Sequence, residues 1–115
     1  MQIKVYNSQV PKEELLQLAV DGYGDMIKGV VDLRTKVIAL GGELHADAEQ
    51  ILLDHGSKQE DLWGFNIYPQ KSKDEYIEYT SLINIRPRQG NRDREIKSPQ
   101  LRDQVKAILD VKINL

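Results

Sequence analysis

The residues best suited to chemistry lie in one half of the chain, between positions 41 and 92. Glu43, His45 and Asp47 alternate along the sequence, so in an extended segment their side chains share one side. An imidazole beside a carboxylate can work as a general acid/base pair, which makes His45 and Asp47 the candidate catalytic residues. The same three residues are the candidate ligands for a divalent metal such as Mn, Fe or Zn, although no HxH or HExxH spacing is present. A structural alternative is that Asp47 caps a helix.

A polar patch is predicted from the alternation of two strands, residues 62–68 and 75–86. Asn66 on the first strand, with Asn84 and Arg86 on the second, should face away from the core. Fixed amides and an arginine fork suit a planar or anionic ligand. The alternative is the ordinary solvated face of an antiparallel sheet.

Two more polar clusters lie near these strands. Gln59 and Asp61 come just before Trp63, where they either point to the same end of the sheet or only form a turn. The segment RPRQGNRDR, residues 86–94, holds four arginines and a glycine, and such a loop can bind phosphate or carboxylate groups. Its alternative is a solvated loop that pairs with its own acids. The candidate ligand-binding residues are therefore Gln59, Asp61, Asn66, Asn84, Arg86, Arg88, Gln89, Asn91 and Arg92.

These side chains must be positioned by elements in the order β-α-β-β-α-β-β-α, with hydrophobic periods of two and of about 3.6 residues. The predicted strands cover residues 2–6, 26–33, 36–40, 62–68 and 75–86, and the helices follow Pro11, Gly42 and Ser98. This order predicts an α+β fold, a mostly antiparallel sheet with helices packed on one face. The side chains expected to face the helices are Trp63, Phe65, Ile67, Ile77, Tyr79, Ile83 and Ile85.

The length and composition exclude several classes of function. A chain of 115 residues predicts a single domain over residues 1–115. The formal net charge of −2 and the absence of a long basic stripe argue against a nucleic-acid partner. The absence of cysteine excludes disulfides, thiolate metal sites and a cysteine nucleophile. No P-loop or GxGxxG motif is present, which removes the familiar nucleotide-binding classes.

The location is expected to be cytoplasmic. MQIKVYNSQV at the start lacks the long apolar core of a signal peptide. No apolar run approaches the roughly 20 residues of a membrane span, so no membrane partner is expected. A homo-oligomer that forms through an exposed strand edge is an open alternative.

Three long motifs connect the chain to a known group of proteins. They are GGELHADAE (residues 41–49), GSKQEDLWGFNIYP (56–69) and INIRPRQGNR (83–92). With these motifs the chain resembles, over nearly its whole length, a small family of uncharacterised bacterial and archaeal proteins that is known as a domain of unknown function. The resemblance implies a self-contained domain and brings no assigned activity, cofactor or partner.

Taken together, the polar clusters predict a pocket for a small anionic ligand that bears phosphate or carboxylate. If the protein is an enzyme, hydrolysis or transfer of a phosphate-like group by His45 and Asp47 is the expected chemistry, with a divalent metal as an open cofactor. The alternative from another class is a protein-interaction or assembly module that uses the polar sheet face or a strand edge.

Overall fold

In the computed structural model, which describes residues 1–114, the alternating segments form strands and the helical stripes form three helices. The strands are β1 (Ile3–Tyr6), β2 (Ile27–Asp32), β3 (Ile38–Gly41), β4 (Leu62–Ile67) and β5 (Ile77–Glu78). The helices are α1 (Lys12–Asp21), α2 (His45–Asp54) and α3 (Pro99–Lys112). The predicted order of elements is confirmed. None of the helices in this part of the chain has the length and apolar character needed to cross a bilayer.

The strands form one sheet in the order β1-β3-β2-β4-β5, and each neighbouring pair is antiparallel. The β2–β3 hairpin is present as predicted, with Val31 opposite Ile38. Strand β2 also pairs along its whole length with β4, from Ile27 opposite Ile67 to Asp32 opposite Leu62. The α+β class and the antiparallel sheet are therefore confirmed.

The sheet carries helices on both faces. Trp63, Phe65 and Ile67 pack with buried residues of α1 and α3, as the strand alternation predicts. Helix α2 lies on the opposite face, where Ala48 and Leu52 pack against residues of β2, β3 and β4. The expectation that all helices share one face is therefore wrong for α2. Apolar side chains occupy both faces of the central strands, so both faces need a cover.

Strand β5 is much shorter than the predicted strand of residues 75–86. The Ser81 hydroxyl accepts a hydrogen bond from Ile83 N–H, and a 3-10 turn over Leu82–Asn84 interrupts the alternation. After this turn Ile83 packs on the α2 side of the sheet, and Ile85 is 44% exposed. Ile77 and Tyr79 stay with α1 and α3 as predicted, whereas the prediction for Ile83 and Ile85 is wrong.

Glycines bring the start of α2 and the 81–84 turn close to β4. Gly41 and Gly42 have φ angles of +108° and +86°, which turn the chain from β3 into α2. A Cβ atom on Gly64 would lie 2.5 Å from Cβ of Ser81, so only glycine allows this turn to lie on β4. The result is a cleft between the first residues of α2 and the 80–83 segment.

Candidate functional site

The structure divides the predicted site residues between two places. Seven of the twelve belong to the 84–91 loop or to the 59–61 turn, and the loop folds back on itself and on this turn. His45 and Asn66 instead line a cleft on the α2 side of β4, which we name the His45 cleft. The predicted open sheet face is covered here by α2 and by the 81–84 turn, so the polar clusters do not converge in one pocket.

Asn84 is fully buried, and its amide is used by the protein backbone. Its Oδ1 accepts from Gly64 N–H at 2.8 Å, and its Nδ2 donates to the Gly64 and Arg94 carbonyls at 3.0 and 3.1 Å. The side chain therefore pairs with β4 in the way that a neighbouring strand would. The contacts leave Asn84 little capacity for a ligand.

Asn91 has a similar role inside the loop. Its Nδ2 donates to the carbonyls of Asn84, Asp93 and Glu95, and its Oδ1 accepts from Lys97 N–H at 3.0 Å. One buried amide thus joins four backbone groups that form no regular ladder. These contacts hold the 84–91 loop together.

Arg86 is 9% exposed and is surrounded by protein groups. Its Nε donates to the Ile83 carbonyl at 3.0 Å, and its Nη2 pairs with Glu49 at 3.1 Å. Its Nη1 donates to the Gln59 carbonyl, and its guanidinium lies 4.9 Å from the centre of the Trp63 ring. Burial lowers the pKa of Arg86, while the charge of Glu49 acts in the opposite direction. These partners favour a structural role over the predicted anion contact.

The remaining predicted ligand residues lie on the surface or contact other protein groups. Gln89 donates to the Glu60 carbonyl at 2.9 Å, and Asp61 lies 3.8 Å from Arg34. Arg88 and Arg92 are exposed and make no ion pair within residues 1–114. These side chains do not line the His45 cleft.

The expected acid/base pair is separated by the start of α2. The structure begins this helix at His45, whereas the prediction treated the segment as extended, and residues two apart on a helix point in different directions. His45 is buried, while Glu43 and Asp47 are exposed. Leu44, not Asp47, is the N-cap residue. In residues 1–114 no group of three or more His, Asp or Glu side chains is placed to hold a metal ion.

The His45 cleft has a volume of about 360 Å³. Its walls are the start of α2 (residues 44–46), Lys28 on β2, Asn66 on β4, the 80–83 segment and Arg94. No acidic side chain of residues 1–114 lines it. Lys28 and Arg94 make no ion pair within those residues. The nearest acids are Glu78, which accepts a hydrogen bond from Asn66, and Asp93, whose carboxylate interacts with the charge of Arg94.

Asn66 has a buried acceptor that the protein leaves unused. Its Nδ2 donates to Glu78 at 2.7 Å and to the Thr80 carbonyl at 3.3 Å, which fixes the orientation of the amide. Its Oδ1 is buried and accepts no hydrogen bond from residues 1–114. A buried polar atom without a partner is costly, so this oxygen is a position where a water molecule or a ligand that donates a hydrogen bond is expected.

His45 lies beside this amide, and its burial favours the neutral form. Its Nε2 is 2.8 Å from the Phe65 carbonyl, so Nε2 must carry the proton and Nδ1 is the unprotonated nitrogen. Burial lowers the pKa of His45, and the charge of Lys28 acts in the same direction. The Phe65 carbonyl, the Asn66 amide and the Glu78 carboxylate act in the opposite direction, and burial prevails.

Sequence reasoning missed Lys28, Thr80, Ser81 and Arg94 as residues of the cleft. Lys28 stands directly opposite Asn66 in the β2–β4 pairing. Only the order of strands in the sheet shows that Lys28 neighbours Asn66. Arg94 lies within the predicted arginine-rich segment, although beyond the residues selected from it.

The fold and the cleft define a small α+β domain whose candidate site is a polar, cation-rich cleft beside a buried histidine. The chain belongs to the family described as "Protein of unknown function (DUF5674)", whose sequence model matches residues 4–111. This match confirms the resemblance to an uncharacterised family. No curated protein and no solved structure matches the chain.

Proposed function

We propose that this domain binds a small anionic molecule, one that bears phosphate or carboxylate, in the His45 cleft. The observation that carries the proposal is the lining of the cleft, which holds Lys28 and Arg94, neither of them in an ion pair within residues 1–114, and no acidic side chain of those residues. The unused acceptor Asn66 Oδ1 needs a donor, which a hydroxyl of the ligand or a protonated His45 supplies. The proposed setting is the cytoplasm, and fractionation of cells that express the tagged chain tests that part.

The charge of the cleft selects an anion. Residues 44–46, at the start of α2, form one wall, and no side chain of residues 1–114 caps the first N–H groups of this helix. The N-terminus of a helix carries a partial positive charge and free N–H donors, which favour phosphate and carboxylate groups. Lys28 and Arg94 add two full charges at the same cleft. A volume of about 360 Å³ is within the range of small-molecule sites.

A bound anion also gives a role to His45 and Asn66, which lie side by side at the cleft. Negative charge in the cleft raises the pKa of the nearby imidazole, because it favours the protonated form. The Asn66 amide already stabilises that form, so protonation of His45 supplies a donor beside the unused oxygen. Nδ1 is the atom that takes up this proton, either from solvent or from the ligand. We therefore expect anion binding to be tighter at pH 6 than at pH 7.5.

A thermal-shift screen of the full chain tests the proposal with phosphate-bearing metabolites, nucleotides and dicarboxylates. A ligand specific for the native state stabilises it by about 2.7 kcal/mol at a hundredfold excess over its dissociation constant. We expect at least one compound class to raise the unfolding midpoint, and we expect Arg94→Gln and Lys28→Gln to weaken that shift.

Arg92→Gln is the matched control, because Arg92 is exposed in the same segment but does not line the cleft. A shift that depends on Arg92 and not on Arg94 would assign the anion to the arginine-rich loop and contradict the cleft. The absence of a shift across the panel would contradict the proposal and favour the interaction module.

A further inference from the structure

A second concave surface lies on the other side of the sheet, between α3 and the turn that joins β2 to β3. This surface, the α3 groove, has a volume of about 500 Å³. Leu33, Ala107, Ile108 and Val111 form its apolar wall, and the side chains of Lys36 and Lys112 also line it. No acidic side chain of residues 1–114 lines the groove.

Lys112 is unusual because it is only 8% exposed and makes neither an ion pair nor a hydrogen bond through its side chain in the described chain. Lys106, six residues earlier on α3, pairs with Asp110 at 3.0 Å. Burial lowers the pKa of Lys112, and the charge of Lys36 acts in the same direction. The stem of Lys112 is therefore buried while its nitrogen reaches solvent, and it stands at the groove with a second cation, Lys36. Two like charges at one concave surface attract an anion.

The apolar wall of the groove is suited to contact an apolar part of a ligand. Val111 is 71% exposed although it stands next to the buried Ile108. An apolar surface that is bordered by charge typically marks a binding site. The groove thus offers one apolar surface and one pair of cations, which is the arrangement that an amphiphilic anion requires.

We propose that the α3 groove binds a small carboxylate with an apolar body, with the carboxylate between Lys36 and Lys112 and the hydrocarbon on Leu33, Ala107 and Val111. This site goes beyond the proposed function, since it lies on the α1 and α3 face while the His45 cleft lies on the α2 face. Each ammonium gains a charge-assisted partner, and the apolar wall is covered.

The test is a titration of the ¹⁵N-labelled full chain with octanoate, followed by ¹H–¹⁵N correlation spectra. Octanol, which lacks the charge, and octylammonium, which reverses it, are the matched probes. We expect saturable shifts at the amides of Leu33, Lys36, Ala107 and Val111. Octanol should bind at least about tenfold more weakly, because it lacks the charge that pairs with the two ammonium groups. Octylammonium should not bind.

The variant Lys36→Met/Lys112→Met should lose about tenfold in octanoate affinity, since the charged partners are gone. Val111→Asp is a second variant, which keeps both lysines and alters only the apolar wall. It should abolish binding. Lys106→Met is the control on the same helix and should retain full affinity. Equal binding of octanol and octanoate, or no saturable shift, would overturn the proposal.

Two other results would also overturn it. Octanoate shifts confined to His45 and Asn66 would assign the carboxylate to the His45 cleft, which would support the proposed function and remove this one. Shifts at the α3 groove with a peptide of alternating Leu and Glu, but none with octanoate, would show that the groove takes a protein segment.

Discussion

Two polar regions border strand β4 on the same face, and they use their side chains in opposite ways. In the 84–91 loop, the amides of Asn84 and Asn91 and the Arg86 guanidinium are satisfied by backbone carbonyls, backbone N–H groups and Glu49. In the His45 cleft, the Asn66 oxygen has no partner in residues 1–114. The same residue types therefore have different roles in the two regions. Side chains whose hydrogen bonds are all made within the protein support the fold, and those with an unused hydrogen-bonding atom form the candidate site.

The largest effect is expected for Arg86→Met. The substitution leaves Glu49 and the Ile83 and Gln59 carbonyls without their partner, and removal of one member of a buried pair costs about 3–5 kcal/mol. Urea unfolding measures this loss. Arg88→Met, at an exposed neighbour, should change stability by less than about 0.5 kcal/mol. Equal stabilities of the two variants would mean that Arg86 is free to bind a ligand.

Asn84→Leu should follow, with a loss of at least about 2 kcal/mol, because it leaves the Gly64 N–H and two carbonyls unpaired in the interior. Hydrogen exchange of the Gly64 amide should accelerate together with the drop in urea midpoint. Asn7→Leu, at an exposed position, provides the comparison. A Gly64 amide that stays protected in Asn84→Leu would contradict the backbone role.

The same substitution at Asn66 should cost less. Asn66→Leu removes two donated hydrogen bonds, but it also removes the unsatisfied oxygen, so the net change in stability should stay within about 1 kcal/mol. Any ligand found for the cleft should bind this variant at least tenfold more weakly. A stability loss as large as that of Asn84→Leu would remove the distinction between the two regions.

The smallest effect concerns pH. Burial lowers the pKa of His45 below its usual value of about 6.5, so the unfolded chain takes up the proton more readily than the native protein does. This contribution to stability is complete above about pH 6.5 and is lost as the pH falls from there toward the lower native pKa. His45→Gln should therefore show a weaker fall in urea midpoint between pH 7.5 and 5.5. Identical pH profiles would contradict a buried, neutral His45.

Local patterns predicted the parts of the fold that depend on local physics. The hairpin, the order of elements and the inward face of Trp63, Phe65 and Ile67 follow from periods of two and 3.6 residues. Such patterns do not tell which side of a sheet a helix covers. The position of α2 depends on the second apolar face of β2 and β3, which only the assembled sheet reveals.

The sequence alone determined the α+β class, the family and the list of polar residues from which a site can be built. Tertiary structure decided which of those residues are available. A helix start separates His45 from Asp47, and one turn at Leu82–Asn84 places Asn84 against Gly64. An amide or guanidinium has the same hydrogen-bonding capacity wherever it lies. Whether its partner is another protein group or a ligand depends on contacts between segments that are distant along the chain.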